Sequence, residues 1–150
     1  MQNQKKGKYR KAVFIVTYCR TANKIEYLIL KRKLHWQGWE FPKGGVEKRE
    51  NTFQTAKRET KEETGQKPFQ IKKFNVKGRY RYRRKYPDRL KYLGQSWQLF
   101  AVRIKKGKIK IDKREHSVYR WLDFKKAYKI LRWPNQKKCL KIVNSYLGKK

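Results

Sequence analysis

Three glutamates, Glu59, Glu62 and Glu63, stand at i, i+3 and i+4, and this spacing restricts both fold and chemistry. On a helix it brings the carboxylates to one side, where like charges repel. The background sharpens the point. Lys and Arg number 44 against 11 Asp and Glu, a net charge of +33, yet five of the eleven acids lie between Gly44 and Gln66. An accidental solvated acidic face does not suit so basic a chain. A hard divalent cation relieves the repulsion, and magnesium favours a few carboxylates, waters and substrate phosphate oxygens over an all-protein cage. Metal plus polyphosphate is therefore the ligand pair that accounts for this helix, with magnesium, or manganese in its place, as the expected cofactor.

The flanking sequence supplies an α/β or α+β framework within one domain. Residues 1–11 read as a basic N-terminal arm, and residues 12–150 as the single domain. Ala12–Tyr18 and Lys24–Arg32 read as strands joined by a turn at Thr21-Ala22-Asn23. Phe41-Pro42-Lys43-Gly44-Gly45 marks a sharp turn. A helix follows from Asn51 to Thr64, capped by Asn51 or Thr52 and ended by Gly65, with Phe53, Ala56 and Thr60 as its inner face and the glutamates on another. Gln70–Arg83, Ser96–Ile104 and Val118–Leu122 read as further strands. Asp123 caps a helix to Leu131, and Pro134 opens a last helix through Leu147.

From Gly44 onward the order is Gly44, Glu50, Arg58-Glu59, Glu62-Glu63 and Gly65. This resembles the Nudix box: a Gly, five residues, Glu, seven residues, Arg-Glu, a hydrophobic residue, any residue, Glu-Glu, any residue, Gly and a hydrophobic residue. Every fixed polar and glycine position is filled. Thr60 and Gln66 depart from it, standing where aliphatic residues are usual, and Arg49 replaces a frequent Gly. Outside the box, Trp39–Gly44, Glu115–Leu122 and Trp133–Gln136 resemble segments of asymmetrical diadenosine tetraphosphate hydrolases, MutT-related members of the Nudix family.

The resemblance implies a mixed, curved sheet between helices, and attack by a metal-bound water on one phosphorus of a nucleoside polyphosphate. It implies Glu62 and Glu63 as main metal ligands, Glu59 as ligand or water-activating base, the Lys43 carbonyl completing the shell, and Glu115 as a further carboxylate for metal or water. Arg58, with its planar fork, is placed to hold Glu50 or Glu62 in position rather than to touch substrate. Tyr80 and Tyr82 are the candidates for stacking on a base, Lys43 for holding phosphate, and His116 for a hydrogen bond near the phosphates.

Lys77–Tyr92 carries eight Lys or Arg with Tyr80, Tyr82, Tyr86 and Tyr92 interleaved. Such a mixture suits a nucleic-acid strand, charge following the backbone while rings stack on bases; a hairpin with core tyrosines and a solvated basic face is the alternative. Three readings follow: a dinucleoside tetraphosphate hydrolase, an RNA 5′-end pyrophosphohydrolase, and an RNA- or ribosome-bound protein on a Nudix scaffold. Cys19 and Cys139 read as buried free thiols. No apolar run is long enough to span a bilayer and Met1–Lys11 lacks a signal-peptide core, so no membrane partner and a cytoplasmic location are expected.

Overall fold

The computed structural model of the protein describes residues 7–149. Strand β1 (Lys8–Thr21) runs through its centre, with eight consecutive buried residues, Ala12–Cys19. A strand is buried on both faces only if both are covered, which is why this segment is continuously apolar apart from Thr17 rather than alternating. β1 turns at Ala22 and Asn23 into β2 (Lys24–Arg32), its antiparallel neighbour. On the other side it runs parallel to β6 (Tyr92–Arg103), which pairs antiparallel with β5 (Gln70–Arg81).

Three shorter strands complete the mixed sheet. β3 (Gly38–Glu40) and β7 (His116–Leu122) both pair with β2, and β4 (Lys43–Gly45) pairs with β1. The order along the main path is β3-β2-β1-β6-β5.

Helices cover both faces. α1 (Thr52–Thr64) lies against one, where Ala56 joins Val13, Ile15, Leu28, Leu30, Phe100 and Val102. On the other face α2 (Phe124–Ile130) and α3 (Pro134–Gly148) bring Ala127, Leu140, Val143 and Leu147 against Phe14, Val16, Tyr27 and Leu99. Alternate residues of β1 thus serve opposite cores, as the period of two in a strand requires. Phe14 anchors the second core, stacked on Trp97 at 4.5 Å between ring centres and edge-on to Phe41 at 5.5 Å.

Several boundaries differ from the sequence reading. Residues 1–6 of the expected arm lie outside the described part, and Lys8–Lys11 are not an arm: they extend β1, pairing with Tyr92–Ser96 of β6. Lys8 and Lys11 are exposed and Arg10 turns in to Gln95 while the backbone ladder continues, so polarity alone misplaced the strand start. β6 begins at Tyr92 and β7 at His116, each earlier than their apolar runs, whereas β5 stops at Arg81 before a basic loop with a single 3₁₀ turn, Pro87–Arg89. Phe41–Gly45 is only partly a turn, since Lys43–Gly45 form β4. Phe53 is 47% exposed and is not on the inner face of α1, whose buried residues are Thr55, Ala56, Thr60, Glu63 and Thr64.

Truncating Phe14 to alanine removes the ring shared by Trp97 and Phe41. We expect Phe14→Ala to lower unfolding free energy by about 3–5 kcal/mol, measured as a fall in urea midpoint with unchanged slope.

Candidate active site

α1 starts and stops sharply. The Asn51 side chain accepts from Gln54 N–H at 2.8 Å while the Gln54 side chain accepts from Asn51 N–H at 2.9 Å, a reciprocal cap. At the far end Gly65 takes φ 77°, a left-handed conformation that ends the helix, and its N–H donates to the Lys61 carbonyl. Thr60 and Thr64, in the buried face, donate their hydroxyls to the carbonyls of Ala56 and Thr60. The threonine at an aliphatic position of the box thereby meets its hydrogen-bonding requirement within the helix.

Arg58 binds the loop before α1 to the helix. Its Nε and Nη2 donate to the two Glu50 oxygens at 2.7 and 3.0 Å, Nη2 also to the Gly45 carbonyl at 2.9 Å, and Nη1 to Glu59 and Glu62, each at 3.0 Å. Glu50 in turn accepts from the Thr55 hydroxyl and Glu47 N–H. The paired guanidinium and these further donors hold its carboxyl down at about 2. Arg49, just before it, sits at φ 69°, where glycine costs less.

The glutamates occupy three environments. Glu62 is largely exposed, Glu59 mostly buried, and Glu63 fully buried against β4, with its Oε1 accepting from Lys43 N–H at 3.2 Å. Contrary to the sequence reading, Glu63 therefore belongs to the inner face of α1. Burial pushes the Glu59 carboxyl up to about 7, with Arg58 opposing and Glu62 adding to the rise. Burial, then the charges of Glu115, Glu59 and Glu40, raise Glu63 well above the ordinary range. Among the described residues the donor atoms that lie within 4.8 Å of one another are those of Glu63, Glu115 and His116, a group that does not include Glu59 or Glu62, which Arg58 holds instead. Gly44 makes room for Glu59: a Cβ there would fall 2.0 Å from Glu59 Cδ.

Behind Glu63 lies a buried ionic group that sequence reasoning missed. Glu40 is wholly enclosed. Its Oε2 accepts from Arg32 Nη1 at 3.0 Å and is 2.7 Å from His116 Nε2, and its Oε1 is 3.5 Å from Lys43 Nζ. Burial alone would raise its carboxyl; Lys43, His116 and Arg32 together bring it to about 2. Glu40 stands out in sequence only as one of few acids, set between Trp39 and Phe41, and nothing marks Arg32 among so many cations. His116 is fully buried and faces Glu40 and Glu63. Glu115 is partly exposed, 3.6 Å from Arg32 Nη1.

Beside this group opens a cleft of about 700 Å³, with Lys43 and Arg32 at its inner end. Tyr80 and Tyr82 line it, as do Trp36, Trp133 and a fringe of arginines including Arg89 and Arg132. Tyr80 and Tyr82 face inward with ring centres 6.2 Å apart, while Arg79 and Arg81 are exposed, the alternation a strand imposes. Tyr82 Oη donates to Gln95, which also accepts from Arg10 at 2.8 Å. Burial raises the Tyr80 hydroxyl to about 12, so it stays protonated at neutral pH.

The model of the NUDIX domain matches residues 8–141. The mouse asymmetrical bis(5′-nucleosyl)-tetraphosphatase is 33% identical over 106 residues, 71% of this chain and 69% of that protein. An RNA pyrophosphohydrolase of Nitratiruptor sp. is 30% identical over 129 residues, 82% of this chain and 83% of that protein. Among solved structures, a C. elegans Ap4A hydrolase binary complex superposes with a TM-score of 0.77 at 25% identity, over 94% of this chain and 99% of that one. The chain belongs to the NUDIX family, and it is a Nudix hydrolase. Enzymes of this family need divalent metal ions, which agrees with the cluster of Glu63, Glu115 and His116. Among the described residues no helix is long and apolar enough to cross a membrane.

Two outcomes are expected. Gly44→Ala should displace Glu59 and weaken divalent-cation binding by about 10–100-fold, as loss of a supporting contact does, with the fold retained by circular dichroism. Glu50 binds fewer protons folded than unfolded, because about 2 lies below its ordinary 4.5. Its contribution to stability is therefore present above 4.5 and lost as pH falls through about 2. Thermal midpoints measured down that window should fall less steeply for Glu50→Gln than for the wild type.

Proposed function

We propose that this Nudix hydrolase splits a dinucleoside tetraphosphate, with Glu59, Glu62, Glu63, the Lys43 carbonyl and Glu115 holding magnesium, or manganese in its place. The observation that carries the reading is the junction at Lys43. Its N–H fixes Glu63, while its side chain reaches toward Glu40 and the inner end of the aromatic cleft, so a phosphate chain at the carboxylates has its nucleoside beside Tyr80 and Tyr82. Bound magnesium would supply water activation and neutralisation of phosphate charge. Arg58 keeps Glu50, Glu59 and Glu62 in place. Lys43 and Arg32 offer positive charge to phosphate oxygens, and the two tyrosines offer faces for a base. His116 acts through Glu40 and Glu63, at one remove from the substrate. Two buried free thiols, Cys19 and Cys139, fit a reducing compartment, and we assign the protein to the cytoplasm on that ground.

The arginine fringe favours a second reading, hydrolysis at a triphosphorylated RNA 5′ end, for which the RNA pyrophosphohydrolase relative is the precedent. RNA or a ribosome is then a partner for the +33 chain. Turnover of diadenosine tetraphosphate and of 5′-triphosphorylated RNA should be compared in magnesium, for the wild type and Glu63→Gln. Turnover of the dinucleotide that falls about 10²-fold or more in the variant supports the first reading. Preference for RNA, with affinity dropping steeply as salt rises, supports the second. A folded, magnesium-binding protein inert on both substrates refutes both.

A further inference from the structure

His116 Nδ1 is a buried nitrogen without a hydrogen-bond partner among the described residues, and it points at a carboxylate. The His116 side chain is 1% exposed, and its Nε2 lies 2.7 Å from Glu40 Oε2. Glu40 Oε2 also takes a hydrogen bond from Arg32 Nη1 at 3.0 Å, and an ion-paired carboxylate is acceptor-only, so Nε2 carries the hydrogen. With that hydrogen on Nε2, Nδ1 is the nitrogen left to offer a lone pair to a metal ion. It faces Glu63 Oε2 at 3.6 Å, and Glu115 brings a third donor so that all three lie within 4.8 Å of one another.

We infer that Glu63, Glu115 and His116 form a site for a transition-metal dication of the zinc class, distinguished from the magnesium set by its nitrogen ligand. A carboxylate behind a ligating imidazole is the usual way its tautomer and orientation are fixed, and Glu40 occupies that place. Two ligands about 2.0–2.1 Å from a tetrahedral ion are separated by about 3.4 Å, close to the gap already present between Nδ1 and Oε2. Glu115, 36% exposed, closes the remaining distance by rotating away from Arg32. Imidazole suits zinc, whereas magnesium keeps to oxygen. Because Glu63 belongs to both sets, zinc and magnesium compete there. The inference rests on the proposed role of Glu63 as a ligand but not on hydrolysis of any substrate.

Calorimetric titration of the full chain with Zn²⁺ and with Mg²⁺ tests it, beside ¹⁵N imidazole spectra in which His35→Gln assigns the two histidines. Zinc should bind at least about tenfold more tightly than magnesium. It should move the His116 Nδ1 resonance to a metal-bound position while Nε2 stays protonated. His116→Gln should lose about tenfold or more in zinc affinity, a larger factor than it loses for magnesium. Zinc affinity retained in that variant, or an Nδ1 still unligated in zinc-saturated wild type, overturns the site. The spectrum is taken on wild-type protein, so a folding defect in the variant leaves the test intact. Loss of Ap4A turnover with the zinc signature intact would count against the proposed function alone.

Discussion

The fork of Arg58 is the contact on which the site depends. Five donations from one guanidinium join the end of β4, the loop at Glu50 and two carboxylates of α1. The cation supports a neighbourhood where acids are crowded. Without it Glu50 would lose its ion-pair partner, and the loop before α1 would be tied to the helix only by the Thr55 hydroxyl and the Asn51 cap. Gly44 is the steric counterpart, giving Glu59 space where any side chain would collide.

Charge is arranged in layers around that point. Exposed Lys and Arg cover much of the surface, while the acids are spent in a few places, above all at α1 and at the buried Glu40. Glu40 takes contacts from Arg32, Lys43 and His116, each reaching it from a different strand: β2, β4 and β7. A buried charge with that many partners is held in one geometry, since removing any partner leaves another charge uncompensated. Glu63 is built against this group, and the network therefore orients the deepest carboxylate of the site.

Most of this was legible in sequence where local rules decide. The glutamate spacing, the Asn51 cap and the Gly65 stop placed α1 within a residue, and the alternation of Tyr80 and Tyr82 with arginines is the pattern of a strand with two unlike faces. Strand starts at Lys8, Tyr92 and His116 were not legible, because pairing with a distant strand extends a ladder regardless of side-chain polarity. The burial of His116 and the centrality of Glu40 depend on strands brought together from residues far apart in the chain, and no local pattern encodes that meeting. Phe53 misled for a related reason: it is the bulkiest apolar residue of α1, yet the face turned to the sheet carries Thr55, Ala56, Thr60, Glu63 and Thr64.

The parallel pairing of β1 with β6 also shapes how the chain folds. Val13 meets Gln98 and Phe14 meets Leu99, so the central strand waits for a partner made much later in synthesis. Meanwhile Val13–Tyr18 is six residues without a charge, proline or glycine, a segment suited to pairing with other chains. Lys8, Arg10 and Lys11 on one side and Arg20 on the other act as gatekeepers, making stacked copies repel one another until β6 arrives. The basic residues at either end of this segment thus bear on how β1 finds its partner, a matter separate from the chemistry at α1.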